Sequence, residues 1–241
     1  MRVILALGLA ISALLASHTA TADPGMRADR VVAAAWVEGG FTITGVLGYR
    51  TVLFTLYADG RFITTSDVDA HDVTTYRMAR LAPREARAFR LSLMRATSGV
   101  DFGDVPVADV GYTRTRVRAD GKATWARINA LGMDAGLRTD QRQARQRLQA
   151  LIDQVTARPS RAFEPSAYEI QRMTTDGPQQ QLEWPGPTLP DGKCGSISAR
   201  TYGEFPDSFR QGSAYTWQGE GFTLWVRPLA PGETACRRIR A

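Results

Sequence analysis

The clearest alternation of apolar and polar positions runs through Thr51-Val-Leu-Phe-Thr-Leu-Tyr57, Ala58-Asp59-Gly60-Arg61 and Phe62-Ile63-Thr64-Thr65. β-Branched and aromatic residues flank an Asp-Gly pair that tolerates positive φ, which predicts a β-hairpin. A two-residue turn sets Tyr57 against Phe62, Leu56 against Ile63 and Phe54 against Thr65. Both faces are largely apolar, so the hairpin is expected in the middle of a sheet. Upstream, Ala35-Trp36-Val37 predicts a first strand that stops at Gly39-Gly40. A second hairpin is predicted from Thr113 to Arg118 and Ala123 to Ile128, turning at Ala119-Asp120-Gly121-Lys122. Beyond each hairpin the period lengthens to that of a helix. After a polar crossing that contains His71, Pro83 opens a helix to about Thr97, with Ala86, Phe89, Leu93 and Ala96 on one stripe. Thr139, with Asp140 behind it, is the expected N-cap of another helix whose stripe is Ala144, Leu148, Leu151, Ile152 and Val155.

The order hairpin then helix occurs twice, and both turns read Ala-Asp-Gly followed by a basic residue. That points to an internal ββα repeat, although Asp-Gly turns are common enough to recur by chance. The expected class is α+β: an antiparallel sheet of hairpins with two covering helices, followed by a small disulfide-containing β-rich module. The first domain is assigned to 23–158 and a linker, bracketed by Pro159 and Pro165, to 159–165. The C-terminal module spans 166–241. This module holds seven of the twelve prolines, three of the five tryptophans and no convincing helix. Strands are expected there at Tyr168 to Met173, Ser196 to Tyr202 and Gly221 to Arg227. Along the last of these Phe222, Leu224 and Val226 point one way and Trp225 and Arg227 the other.

The N-terminus carries Arg2, an apolar run from Val3 to Ala16, and Ala20-Thr21-Ala22 before Asp23-Pro24. This is the pattern of a secretory signal peptide cleaved after Ala22. The run is shorter than the roughly 20 residues that span a bilayer, so a transmembrane anchor is the poorer reading. Cleavage of the 241-residue chain leaves 219 residues with a formal charge of +5, because Arg2 is the one charged residue removed. The mature product is expected to be secreted, with no transmembrane segment. Export discards His18 and leaves His71 as the single imidazole. It also carries Cys194 and Cys236 to an oxidising compartment. Their disulfide would close a loop of about 43 residues, worth roughly 4 kcal/mol in the chain-entropy model.

This inventory narrows the chemistry. A serine triad needs a histidine to shuttle the proton, and no Gly-x-Ser-x-Gly elbow accompanies His71. Zinc needs three or four N, S or carboxylate ligands, which one histidine and two paired cysteines do not supply. No phosphate loop or dinucleotide fingerprint is present, so no cofactor and no metal are expected. The modest, dispersed positive charge gives no indication of nucleic acid as a partner. Two carboxylates suffice for a glycoside hydrolase, and Asp101, Asp104, Asp109, Glu38, Glu164, Glu169 and Glu183 are available, although no spacing selects a pair. The plain reading of Asp101-Phe-Gly-Asp104 is a turn whose carboxylates accept nearby backbone N–H groups. No catalytic residue is assigned.

A binding role has more to work with. In the second hairpin Arg118 faces Ala123, Arg116 faces Trp125 and Arg114 faces Arg127 on one side, while Thr115, Val117, Ala126 and Ile128 face the helices. Arg114, Arg116, Arg118, Trp125 and Arg127 are therefore the expected binding residues, for an anionic envelope polymer or a protein partner. A solvated cation–π pair is the plainer alternative. Trp184, Trp217 and Trp225 offer sugar-stacking surfaces, or fill the core of the small module.

Val37-Glu-Gly-Gly-Phe41, Phe54-Thr-Leu-Tyr-Ala-Asp-Gly-Arg61, Asp101-Phe-Gly-Asp104, Ala130-Leu-Gly132, Trp184-Pro185 and Val226-Arg-Pro-Leu-Ala-Pro-Gly-Glu-Thr-Ala-Cys236 occur in that order. In this succession the chain resembles a group of secreted actinobacterial proteins to which no activity is assigned. The resemblance covers essentially the whole mature chain, and implies export and an α+β body with a disulfide-containing tail. It implies no catalytic residue. The chain departs from the group at Ala82, where the helix tends to begin with a hydroxyl residue before proline.

Overall fold

The computed structural model describes residues 27–39, 50–68, 74–174, 182–186, 194–205, 214–217 and 220–236. The leader expected at 1–22 and His71 lie outside them. The chain forms β1 (Val31–Gly39), β2 (Arg50–Tyr57), β3 (Arg61–Val68), β4 (Thr74–Arg80), α1 (Pro83–Thr97), β5 (Gly111–Ala119), β6 (Lys122–Asn129), α2 (Thr139–Thr156) and β7 (Arg161–Ala162). It continues as β8 (Ala167–Thr174), β9 (Leu182–Glu183), β10 (Cys194–Ser198), α3 (Ala199–Gly203), β11 (Ala214–Trp217) and β12 (Glu220–Pro228). The first seven strands make one antiparallel sheet in the order β6-β5-β1-β2-β3-β4-β7. The others make a second sheet, β10-β8-β12-β11-β9, antiparallel except for β9 against β11. The class is α+β, as expected.

Helices α1 and α2 cover one face of the first sheet. Phe54, Leu56 and Phe62 of the hairpin meet Phe89 and Leu93 of α1 and Leu148 and Ile152 of α2 in one cluster. Phe54 and Phe62 stack at 5.4 Å, and the Phe89 ring stands edge-on to them at 5.4 and 6.2 Å. Each large side chain taken fully out of water contributes about 1.5–3 kcal/mol. On the other face Val52, Tyr57, Ile63 and Tyr76 are covered by Ala230, from the stretch after β12. The two-sided apolar pattern of the hairpin thus reflects two covering layers.

The first hairpin departs from its expected register. Leu56 lies opposite Phe62 and Phe54 opposite Thr64, so the loop is Ala58-Asp59-Gly60, three residues rather than two. Gly60 holds φ at +83° and donates its N–H to the Tyr57 carbonyl at 3.0 Å. Asp59 accepts from Arg61 N at 3.0 Å and Nε at 2.6 Å, and Leu81 N donates to the Gly60 carbonyl at 2.8 Å. These contacts hold the longer loop, with glycine where the chain turns left-handed. The second hairpin has the expected two-residue turn, with φ of +47° at Asp120 and +76° at Gly121.

Other expectations change as well. Part of the polar crossing, Thr74–Arg80, is strand β4, whose Tyr76 is buried while Arg77 is exposed. It stands between hairpin and helix in the first unit alone, so the two units do not match strand for strand. Thr139 is the first residue of α2 rather than its cap. The cap is Arg138, whose backbone N–H is taken by Gln141 Oε1 at 3.0 Å. On that helix Leu151 is only half-buried, and Gln141 and Arg145 complete the buried stripe. Ser196 to Tyr202 divides at Ser198, whose Oγ accepts the Thr201 N–H at 3.0 Å and starts α3 where no helix was expected. Within 159–165, Arg161–Ala162 pairs with β4 as an edge strand.

Cys194 and Cys236 are joined, with Cα atoms 5.6 Å apart. Beside the disulfide, Arg227 reaches Glu169 at 2.9 Å and Glu233 at 3.0 Å, and Glu169 also accepts the Cys236 N–H at 3.1 Å. Burial opposes the Arg227 charge, and the neighbouring Glu233 and Glu169 carboxylates overcome it, leaving its pKa raised.

Candidate binding face

Strands β1, β5 and β6 turn one face away from the helices. On β5, Arg114, Arg116 and Arg118 alternate with buried Thr113, Thr115 and Val117, because successive side chains leave a strand on opposite sides. Across the hairpin they face Arg127, Trp125 and Ala123. All five sequence-assigned binding residues therefore share one surface. The Arg116 guanidinium lies 4.8 Å from the centre of the Trp125 ring and that of Arg127 lies 3.4 Å from Tyr112. Trp125 remains 41% exposed.

β1 adds residues that the sequence alone did not mark. It pairs antiparallel with β5, placing Trp36 opposite Arg114. The buried Trp36 ring meets Trp125 edge-on at 6.4 Å. Its Nε1 donates to Glu38 Oε2 at 3.1 Å, and the other Glu38 oxygen pairs with Arg114. Glu38 thus neutralises one arginine and fixes the buried tryptophan beneath the exposed one. Trp36 had been legible only as a strand residue, since which strands become neighbours is not a local property.

Arg30, just before β1, joins the same surface. Burial, then the charges of Arg118 and Arg30, hold the Arg116 pKa below the ordinary guanidinium value. A guanidinium remains charged through such a shift. Among the described residues Arg30, Arg116, Arg118 and Arg127 have no carboxylate within ion-pair reach. The shielded Nε atoms of Arg116 and Arg118 also have no hydrogen-bond partner. Unlike Arg114, these cations have no carboxylate of the described residues beside them to neutralise their charge.

The acids are distributed differently. Asp101 Oδ1 accepts the Gly103 N–H at 2.8 Å, and Oδ2 accepts from Gln141 at 2.9 Å and Arg138 at 3.0 Å. These bonds, the backbone one foremost, bring its pKa down to about 2. Glu38 is paired with Arg114 and Glu169 with Arg227. Asp104, Asp109, Glu164 and Glu183 are exposed. No group of three or more metal-ligand side chains occurs among the described residues. A groove of about 360 Å³ is lined by Arg61, Arg80 and Arg161 with Met78 and Ser160. Another, of about 480 Å³ between α1 and α2, is lined by Arg95, Arg147 and Leu151. Among the described residues neither has a carboxylate in its wall.

The tail tryptophans divide. Trp184 fills the second core, its ring 5.5 Å from Tyr215 and 6.1 Å from Phe222. Trp225 is half-buried, and Trp217 stands on β11 opposite Glu220.

Arg145 also escaped the sequence reading. It is 4% exposed in α2 and donates to the carbonyls of Phe102 at 2.7 Å, Gly103 at 2.8 Å, Asn129 at 2.8 Å and Ala130 at 2.9 Å. Asn129 in turn clasps Val105, accepting its N–H at 3.1 Å and donating to its carbonyl at 2.9 Å. The two side chains anchor the loop after α1 and the exit from β6. The cue was an arginine lying on the apolar stripe of α2.

No protein-family model, curated protein or solved structure matches the chain.

Proposed function

We propose that this protein is exported and acts by contact rather than catalysis, holding an anionic partner on the outward face of β1, β5 and β6. The observation that carries the reading is a set of four guanidiniums, Arg30, Arg116, Arg118 and Arg127, that have no carboxylate partner among the described residues, on a face that also bears the exposed Trp125. A guanidinium offers a planar fork of donors to phosphate or carboxylate, and an indole offers a flat apolar surface. The leader pattern, the resemblance to secreted proteins and the Cys194–Cys236 bond support a site of action outside the cytoplasm, since disulfides persist in oxidising compartments. Among the described residues no helix is long and apolar enough to cross a membrane. The hydrolase reading has less behind it, because Asp101, Glu38 and Glu169 are engaged by arginines.

Retention of the purified protein on cell-envelope material, measured as salt is raised, tests the face. Arg116→Glu with Arg118→Glu is expected to weaken retention about tenfold, at exposed contacts of roughly 0.2–1 kcal/mol each. Retention indifferent to both salt and charge reversal would remove this surface as the contact. N-terminal sequencing tests export separately. Asp23 is expected as the first residue, whereas an intact chain in the cytosol with both thiols titratable would overturn it.

A further inference from the structure

Among the described residues, strand β6 is one edge of the first sheet. All eight of its residues pair with β5, in an unbroken register from Ala119 opposite Lys122 to Tyr112 opposite Asn129. The sheet order leaves no strand on its other side among the described residues. Protein edges are normally blunted by brevity, charged side chains, proline, bulges or inward-pointing charges. The opposite edge follows this rule, since β7 has two residues. β6 has no proline and no bulge, and its protection is two solvent-facing cations, Lys122 and Arg127, which repel a cationic strand and attract an acidic one.

The two-residue turn determines which peptide groups are free. Its closing bond runs from Lys122 N–H to the Ala119 carbonyl, so that pair is hydrogen-bonded and alternate pairs along the ladder are not. The pairs at Ala123, Trp125 and Arg127 are therefore the unbonded ones, and their N–H and C=O groups point out from the edge. The same three residues carry their side chains on the guanidinium face. A strand laid along β6 would sit about 4.8 Å away, with every second side chain beside these cations.

We propose that the β6 edge receives an extended acidic peptide segment of a partner protein by strand addition. The proposal rests on the reading above that this face holds an anionic partner. Backbone hydrogen bonds to Ala123, Trp125 and Arg127 supply the affinity, and alternate carboxylates on the arginine side supply the specificity. Charge complementarity favours this occupant over a second copy of the chain, which would bring its own cations to the seam.

The test uses the full mature protein and a labelled seven-residue peptide alternating Glu and Val, with a Lys-Val peptide and a linear polyuronate as comparisons. Binding is followed by anisotropy. The Glu-Val peptide is expected to bind and the Lys-Val peptide to fail. Ala123→Pro removes one outward N–H without altering the charged face or the β5–β6 ladder, and is expected to weaken peptide binding at least tenfold. Polyuronate binding should be unchanged by it. If Ala123→Pro disturbs folding, N-methylation of alternate peptide residues replaces it. Methylation on the side facing β6 should abolish binding, and methylation on the other side should not. Peptide binding that survives both backbone changes but is lost in Arg116→Glu/Arg118→Glu overturns strand addition and leaves the charged face standing. Binding indifferent to all of these changes overturns both. A protein that dimerises through Trp125, with peptide excluded, overturns the acidic occupant.

Discussion

Arg145 shows how far one side chain can organise its surroundings. Its donors meet carbonyls from two separate loops, with no carboxylate among the bonds that hold it. Arg145→Lys removes the planar fork and leaves buried acceptors unpaired, which is expected to destabilise the protein by about 2–4 kcal/mol. Denaturant unfolding measures this, and amide exchange should rise at 102–105 and 129–133. An unchanged midpoint would show that the network contributes little. Asp101 has an opposite charge and a pH signature. Its folded pKa of about 2 lies below the ordinary value of 3.8, so its contribution to stability is complete above about pH 4 and is lost as pH falls through 2. NMR titration of the carboxyl should place the midpoint near 2, and the Gly103 amide should shift with it. Titration near 3.8 would mean that the turn does not hold the charge. The Asp101 turn was legible because Asp before a glycine loop bonds backbone locally. The burial of Arg145 was not, because its acceptors lie between 12 and 43 positions away along the chain.

At the scale of elements, turn geometry separates two Ala-Asp-Gly sequences that look alike. A Cβ on Gly60 would lie 2.5 Å from the Leu81 carbonyl oxygen, whereas one on Gly121 would meet nothing within 4 Å. Both positions have positive φ, +83° and +76°, so both substitutions carry the left-handed penalty and only Gly60→Ala adds a backbone clash. Thermal unfolding should show a loss of about 1 kcal/mol for Gly121→Ala and about 2–4 kcal/mol for Gly60→Ala. Equal losses would contradict the three-residue loop at 58–60. Pattern reading found both hairpins and both long helices, and it placed α1 at its observed start. Pro83 provides that start without a hydroxyl cap, since Ala82 makes no side-chain bond. It missed β4 because Thr and Arg alternate there with Tyr76 and Met78, and a polar run conceals a strand that is covered on one side only.

For the molecule as a whole, the disulfide and the Glu169–Arg227–Glu233 cluster hold the second sheet together, and Ala230 presses it against the first. Reduction of Cys194–Cys236 is expected to cost about 4 kcal/mol in the chain-entropy model. Hydrogen exchange should accelerate in β8, β10 and β12, while the core around Phe54 and Leu148 stays protected. Uniform acceleration through both sheets would mean that they unfold as one unit. By itself the sequence determined the hairpins, the two amphipathic helices, the α+β class, the disulfide partners and the side of the second hairpin that carries arginine. These follow from periodicity, from turn chemistry and from there being only two cysteines, all independent of distant contacts. Only the tertiary structure decided that β1 lies between β5 and β2, that Trp36 and Glu38 join the arginine face, that Arg145 is an anchor and that β6 is an edge among the described residues. Strand order and burial arise from matching whole apolar faces across the sheet, a long-range choice to which no single segment is committed.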